Sequence, residues 1–207
     1  MLKVQTFLNK RAFSCNVYVC SDEQGSFIVD PGYFDSEIEE YLKTVAPLQF
    51  VLQTHCHFDH ILGLNLLAQK YPGLEIYCHK NEIDLALDYN KNGSLMTGCA
   101  FLPEVNFKPI EEGVADICGR QIRVIFTPGH TAGSCMYYFE KDKLVFTGDT
   151  LIESSIGRTD LPTGSDAELL KSLAKIRKID FSDDTEFLFG HGVPFSYKEL
   201  LQYNQFL

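Results

Sequence analysis

The sequence predicts a mixed α/β fold, and three observations lead to this prediction. Short apolar runs rich in β-branched and aromatic residues recur between turn residues, which is typical of buried strands. Apolar residues at helical spacing separate several of these runs. The chain has 207 residues, of which 45% are hydrophobic and 22% charged, and this length and balance predict one folded domain over residues 1–207.

In the first half of the chain, predicted strands are followed by helices and strands in alternation. Strands are predicted at residues 2–8, 14–20, 25–30, 50–52 and 74–78. Helices are predicted at 38–45, behind a capping box Ser36-x-x-Glu39, at 61–68 and at 82–87. Residues 88–118 carry scattered glycines and prolines without a clear period. We expect this segment either to cover a functional site or to form an irregular surface loop with short strands.

The second half is predicted to contain the same kinds of element. Strands are predicted at residues 121–126, 135–139, 143–146 and 186–189. Helices are predicted at 166–178 and from 197 to the C-terminus. Each of these helices follows a serine with a glutamate three positions later, Ser165-x-x-Glu168 and Ser196-x-x-Glu199, which is the spacing of a capping box.

Composition narrows the functional class. The formal net charge of −10 argues against a nucleic-acid partner, because such binding depends on basic surfaces. No apolar stretch has the length of a membrane span or the pattern of a secretory signal. The seven cysteines form no C-x-x-C pair, as expected for reduced thiols. We therefore expect a cytoplasmic protein that acts on a small molecule, without a nucleic-acid or membrane partner and in an oligomeric state that composition leaves open.

The segment Thr54-His55-Cys56-His57-Phe58-Asp59-His60 concentrates three histidines and an aspartate. Nitrogen donors with one carboxylate suit Zn²⁺, Fe²⁺ or Mn²⁺ better than Ca²⁺ or Mg²⁺, which prefer oxygen ligands. Successive side chains of an extended segment point in opposite directions, so Cys56 is expected to face away from a metal bound by His55 and His57.

Four predicted strands are each followed by a residue type that binds metals. Because sites in layered α/β proteins collect at the carboxyl ends of strands, we expect the four following loops to meet. Together they supply seven candidate ligands: His55, His57, Asp59, His60, His130, Asp149 and His191. Seven ligands are too many for one tetrahedral zinc and suit two divalent ions that share a carboxylate. Zinc is the first choice for both ions, with iron or manganese as alternatives.

These motifs resemble a known family. The order His55-x-His57-x-Asp59-His60, Gly129-His130, Gly148-Asp149 and Gly190-His191-Gly192 is similar to the metallo-β-lactamase superfamily, over essentially the whole chain from Asp30-Pro31-Gly32 onward. Gly148-Asp149-Thr150-Leu151 and Gly157-Arg158-Thr159-Asp160 further resemble the glyoxalase II-like (hydroxyacylglutathione hydrolase-like) branch. The resemblance implies a four-layer αββα sandwich with the site between the sheet edges.

The resemblance also implies a role for each ligand. His55, His57 and His130 would hold the first metal, Asp59, His60 and His191 the second, and Asp149 would bridge the two. Asp59 would also be catalytic, by holding or relaying a proton. Asp30 would orient a ligand, although an aspartate before proline is also a common turn residue.

The implied reaction is hydrolysis of a thioester or ester. A water shared by two metals would lose a proton and attack the carbonyl carbon, while one metal stabilises the oxyanion. The implied substrate is an acylglutathione. Dedicated glyoxalase II members grip glutathione with an additional C-terminal helical region, whereas this chain ends about fifteen residues after Gly192. The expected metal chemistry does not depend on that region, but glutathione recognition does.

The alternative comes from another reaction class. Persulfide dioxygenases use the same scaffold with a single iron at the positions of His55, His130 and Asp149, so an iron-dependent oxidoreductase is the second hypothesis.

Three further residues are weaker candidates for the site. His79 is expected to be structural or on the surface, and Arg158 and Asp160 either bind a substrate anion or form a local salt bridge.

Overall fold

The computed structural model describes residues 1–8 and 15–207, so residue 14 of the predicted strand 14–20 lies outside the described residues. The chain divides into two compact units, Met1–Ile110 and Glu111–Leu207. The single domain over 1–207 stays a prediction. In the described part of the chain, no helix has the length and apolar character needed to cross a membrane.

The first unit is built on one sheet. Within its described residues the sheet has six strands in chain order: β1 (Lys3–Phe7), β2 (Val17–Asp22), β3 (Gly25–Val29), β4 (Leu48–Leu52), β5 (Glu75–His79) and β6 (Phe107–Ile110). The strands β1 to β3 pair antiparallel, whereas β3 to β6 are parallel neighbours. The carboxyl ends of β3, β4 and β5 therefore lie at the same edge of the sheet.

Four short α-helices accompany this sheet in the described residues: α1 (Ser36–Leu42), α2 (Phe58–Ile61), α3 (Leu64–Lys70) and α4 (Ile83–Ala86). The predicted capping box at Ser36 is wrong, because the side chain of Asp35 caps α1 by accepting from the amides of Glu37 and Ile38. The predicted helix 61–68 is interrupted at Gly63. An added Cβ there would lie 2.6 Å from the carbonyl oxygen of Pro31, so this close approach requires glycine.

The segment after α4 contains a 3-10 turn at Ser94–Thr97 and is followed by β6. Asn92 is fully buried, and its amide group donates to the carbonyl oxygens of Ala86 and Phe101. The backbone carbonyl of Asn92 accepts from the amide of Phe58 at 2.8 Å, which ties the loop to α2. That the segment covers a functional site stays a prediction.

The second unit, all of it described, also contains a six-stranded sheet. Its strands are β7 (Gly113–Ile117), β8 (Arg120–Phe126), β9 (Cys135–Phe139), β10 (Leu144–Gly148), β13 (Glu186–Phe189) and β14 (Phe195–Ser196), with a separate hairpin β11 (Leu151–Ile152) and β12 (Ser155–Ile156). The helices are α5 (Asp166–Ile176) and α6 (Tyr197–Tyr203). Ser165 caps α5, and Ser196 with Glu199 forms the predicted capping box of α6.

Each unit has its own hydrophobic cluster. In the first unit, residues such as Val19, Ile28 and Val51 of the sheet pack with Ile38 and Leu67 of the helices. In the second, strand residues including Met136, Val145 and Phe187 pack with Leu169 and Leu173 of α5. Full burial of one such side chain contributes about 1.5–3 kcal/mol. These clusters hold the strands whose carboxyl ends carry the candidate ligands.

Candidate metal centre

In the first unit, two parallel strands bring the aspartate turn and the histidine segment together. Asp30 directly follows β3, and Thr54 to His60 follow β4, its parallel neighbour. The amide of Asp30 donates to the carbonyl oxygen of Leu52 at 3.0 Å, so the two loops leave the sheet side by side.

The buried carboxylate of Asp30 holds this segment. Its Oδ1 accepts from the amide of Thr54 at 2.8 Å, and its Oδ2 accepts from the Thr54 hydroxyl at 2.6 Å and from His60 Nδ1 at 3.0 Å. Because the hydroxyl of Thr54 donates its hydrogen to Asp30, its lone pairs can accept from Nδ1 of His55, 3.2 Å away. With the proton on Nδ1, Nε2 of both histidines carries the lone pair that a metal requires.

Asp30, His55 and His60 each place a potential ligand atom within 4.8 Å of the others. We do not count Asp30 as a metal ligand, because its Oδ2 already accepts two hydrogen bonds and its contacts are those of an orienting carboxylate. Asp59 is better placed for coordination, with Oδ2 3.9 Å from Nε2 of His60. Two donors bound at about 2.1 Å in a tetrahedral shell lie about 3.4 Å apart, so this pair is close to the required separation.

A second buried carboxylate supports the same loop. Glu82 is fully buried, and its Oε2 accepts from the amide of Cys56 at 2.7 Å, between His55 and His57. The side chain of Cys56 belongs to the hydrophobic cluster of the first unit. Burial, together with the neighbouring thiol of Cys78, raises the pKa of Cys56. These observations favour a packing role for Cys56.

In the second unit, His130, Asp149 and His191 follow β8, β10 and β13. Asp149 Oδ2 lies 3.7 Å from Nε2 of His130 and 3.4 Å from Nε2 of His191. These distances exceed those of good hydrogen bonds to a carboxylate, but they match the separation of two donors on one ion. Oδ2 of Asp149 is therefore close enough to each of the two imidazoles to bind the same metal ion as that imidazole.

The loop after β12 contacts the ring of His130 on its Nδ1 side. Nδ1 donates to the carbonyl oxygen of Arg158 at 2.7 Å, and since a carbonyl can only accept, Nε2 of the neutral ring carries the lone pair. Gly157 permits this contact. An added Cβ at Gly157 would overlap the carbonyl oxygen of Asp149 and lie 2.9 Å from Nδ1 of His130.

The remaining candidates from the sequence have local roles. His79 is buried, and its Nδ1 accepts from the amide of Asn81 at 3.3 Å at the start of a 3-10 turn. Arg158 and Asp160 form a bidentate pair at 2.6 and 2.7 Å, and both side chains are exposed. The guanidinium lowers the pKa of Asp160 to about 2. Of the two alternatives expected for Arg158 and Asp160, binding of a substrate anion or a local salt bridge, the structure shows the salt bridge.

The chain is similar in sequence to known proteins. Residues 11–191 match the family described as the Metallo-beta-lactamase superfamily. The chain belongs to this superfamily. A Bacillus subtilis (strain 168) protein named "Probable metallo-hydrolase YqgX" is 35% identical over 185 residues, which cover 86% of this chain and 84% of the relative. "Hydroxyacylglutathione hydrolase GloC" of Haemophilus influenzae is 32% identical over 184 residues, which cover 84% of this chain and 83% of the relative.

Solved structures of the superfamily have the same fold. BLEG-1 B3 metallo-beta-lactamase superposes with a TM-score of 0.87 at 31% identity, covering 100% of this chain and 99% of that one. TTHA1623, solved in a di-iron-bound form, gives a TM-score of 0.84 at 26% identity, covering 99% and 100%. The predicted mixed α/β class and metallo-β-lactamase-like fold are thereby confirmed.

The donor set suits divalent metal ions. It consists of five imidazoles and two carboxylates, and in His60 and His130 the ring nitrogen Nδ1 is hydrogen-bonded to a protein oxygen, which leaves Nε2 as the candidate donor atom. Metal-binding histidines characteristically have such a partner.

Thr54 and Gly157 lie in motifs noted in the sequence, but no supporting role was predicted for them, and Glu82 was not singled out at all. The contacts of Thr54 with Asp30 and of Glu82 with Cys56 join positions 24 and 26 residues apart, so they leave no local pattern.

Proposed function

We propose that this protein is a hydrolase that uses two divalent metal ions to cleave thioesters, and that its substrate class is the acylglutathiones. The observation that carries the proposal is the position of Asp149 Oδ2, which lies 3.7 Å from Nε2 of His130 and 3.4 Å from Nε2 of His191. A carboxylate between two imidazoles is suited to be shared by two ions. From the resemblance to the superfamily, we further propose that His55 and His57 bind one ion with His130, and that Asp59 and His60 bind the other with His191.

Two bound divalent ions would acidify a water molecule and polarise the carbonyl oxygen of the substrate. The residues of the chain keep the donor atoms in the required state. Asp30 holds the proton of His60 on Nδ1, and the carbonyl oxygen of Arg158 does the same for His130. The Asp59 side chain is 18% exposed, so water and substrate can reach its carboxylate, which can hold a proton and deliver it to the departing sulfur.

A thioester is a suitable substrate for a centre of two metal ions with the Asp59 carboxylate beside it. Its leaving group is a thiolate, whose conjugate thiol has a pKa of about 8.5, so departure needs little help from a general acid. GloC, a hydroxyacylglutathione hydrolase by name, aligns with this chain over most of both lengths, and this supports glutathione as the thiol. The di-iron form of TTHA1623 supports two ions and keeps iron beside zinc and manganese as the metal.

The experiment is hydrolysis of S-lactoylglutathione by protein whose zinc, iron and manganese contents have been measured. We expect metal-dependent release of glutathione, and its loss in Asp149→Ala and His57→Ala. Asp184→Ala is the matched control, because this exposed aspartate pairs with Lys143 on the surface. Wild-type turnover in Asp149→Ala would refute the proposed centre.

Other outcomes separate the parts of the proposal. Hydrolysis of simple acyl thioesters without hydrolysis of S-lactoylglutathione would refute glutathione recognition and retain the hydrolase. One iron per chain, with oxygen uptake on glutathione persulfide and no thioester cleavage, would replace the hydrolase by the dioxygenase hypothesis.

A further inference from the structure

The loop that carries His191 needs support from outside itself. His191 lies between Gly190 and Gly192, and its side chain is 35% exposed, whereas the other four candidate histidines are buried. Glycine backbone is conformationally permissive, and Gly192 has a φ of +94°. Contacts on either side of His191 therefore restrict the conformations that this loop can adopt.

One restraint lies before His191 and one after it. The amide of Gly190 donates to the carbonyl oxygen of Gly148 at 2.8 Å, which fixes the loop next to Asp149. On the other side, the amide of Val193 donates to Oε1 of Glu153. The carboxylate of Glu153 also occupies the space where a Cβ of residue 192 would lie, so it packs directly over the glycine.

Glu153 is itself held in place. It connects the two strands of the hairpin β11–β12, and the buried side-chain amide of Asn204 donates to the carbonyl oxygens of Ile152 and Ser155, both at 2.8 Å. Leu151, at the start of the hairpin, is fully buried in the hydrophobic cluster of the second unit. A continuous set of contacts therefore runs from the end of α6 through the hairpin to the His191 loop.

We infer that Glu153 is a positioning residue that holds the His191 loop in its metal-binding conformation, with Asn204 fixing the hairpin behind it. The inference rests on the proposed function, in which His191 is a metal ligand. Glu153 then determines how tightly the ion bound by His191 is held. The other ion, whose histidines are all buried, does not depend on it.

The test is a titration of metal-free protein with Co²⁺ in competition with a chelator, which reports the number of ions and the affinity of each. We expect Glu153→Ala to weaken one of the two Co²⁺ ions by about 10-fold or more and leave the other unchanged, the size of effect typical for residues that support a ligand. Glu153→Gln should restore most of the affinity, because Oε1 of the amide can still accept from Val193. Asn204→Ala should weaken the same ion as Glu153→Ala.

Glu140→Ala is the control, since Glu140 is exposed and pairs with Arg123 away from the His191 loop. Wild-type affinity for both ions in Glu153→Ala would overturn the inference. So would equal weakening of both ions, or a Glu153→Gln protein as weak as Glu153→Ala, which would assign the effect to charge. If His191→Ala still binds two Co²⁺ ions as tightly as the wild type, the ligand set of the proposed function has failed instead.

Discussion

Nδ1 of His60 lies 3.0 Å from Oδ2 of Asp30, and both side chains are buried. A carboxylate can only accept here, so the ring proton of a neutral His60 sits on Nδ1. The lone pair is then on Nε2, the nitrogen 3.9 Å from the carboxylate of Asp59. The tautomer of His60 is therefore set by a residue that is not among the seven candidate ligands.

Asp30→Asn is expected to weaken metal binding by about 10- to 100-fold. An amide nitrogen in the place of Oδ2 would present hydrogens to His60 and Thr54, which both donate to that oxygen in the wild type. His60 would then accept at Nδ1 and carry its proton on Nε2, where it blocks coordination. Competition between the protein and a chromophoric chelator for zinc measures the loss.

The control for this substitution is Asp184→Asn, which removes the same charge from an exposed surface pair and should leave the zinc affinity unchanged. Equal zinc affinities for Asp30→Asn and the wild type would show that the carboxylate does not determine the His60 tautomer.

Gly157→Ala is expected to displace the His130 ring and reduce metal affinity by at least about 10-fold. The new Cβ would overlap the backbone carbonyl of Asp149, which cannot swing away as a flexible side chain can. Overpacking of this kind also costs about 1–3 kcal/mol of stability. Zinc affinity and chemical denaturation of the same samples measure the two effects.

Gly119→Ala is the control for a general loss of stability that does not involve the His130 ring. Gly119 has a φ of +78° and open space around its Cβ position, so alanine there strains the backbone without touching the centre. It should lower stability by about 1–2 kcal/mol and leave zinc affinity intact. A Gly157→Ala protein with normal zinc affinity would mean that the His130 ring is not confined by this contact.

The placement of the candidate ligands just past strand ends could be predicted from the sequence, because apolar strands have a recognisable local pattern, whereas their binding of metal stays a prediction. His130, Asp149 and His191 all lie just past the ends of β8, β10 and β13. The residues that hold the ligand loops in place, such as Glu82 and Glu153, could not be predicted in this way. Glu82 bonds to an amide 26 residues away and Glu153 to one 40 residues away, so each contact exists only after the strands have assembled.

The same distinction applies to the secondary structure. The strands β9 and β13 have the predicted bounds because their entire length is apolar or nearly so. The hairpin β11–β12 was missed because strands of two residues have no measurable period. The cap of α1 was misplaced because Asp35 and Ser36 are both good capping residues, and only the backbone angles of residue 35 decide between them.

Arg158→Ala is expected to leave metal affinity within about two-fold of the wild type, well short of the 10- to 100-fold loss expected for a residue that orients a ligand. The contact to His130 is made by the backbone carbonyl of residue 158, which alanine retains, while the guanidinium pairs with Asp160 in solvent. Zinc competition checks this directly. A large loss of affinity would show that the guanidinium, and not only the carbonyl, holds the segment against His130.

The pair of Arg158 and Asp160 should persist into strong acid. The guanidinium lowers the pKa of Asp160 to about 2, from an ordinary value of 3.8. Because the folded-state pKa is the lower one, any stabilisation by this pair is complete above the ordinary pKa and is lost as the pH falls towards 2. NMR titration of the Asp160 carboxyl should give a midpoint near 2 in the wild type and one near the ordinary value in Arg158→Ala. Identical midpoints in the two proteins would contradict the pairing.

Gly192→Ala should reproduce the metal-binding defect of Glu153→Ala. The new methyl group would occupy the position of the Glu153 carboxylate, and this flexible side chain would move away and release the amide of Val193. The φ of +94° adds about 1–2 kcal/mol of backbone strain, as in Gly119→Ala, which serves as the control. Co²⁺ titration of the double variant provides the decisive comparison. If both substitutions act by breaking the same contact, Gly192→Ala with Glu153→Ala should bind the weaker ion no worse than Gly192→Ala alone, whereas fully additive losses would mean that the two residues support His191 independently.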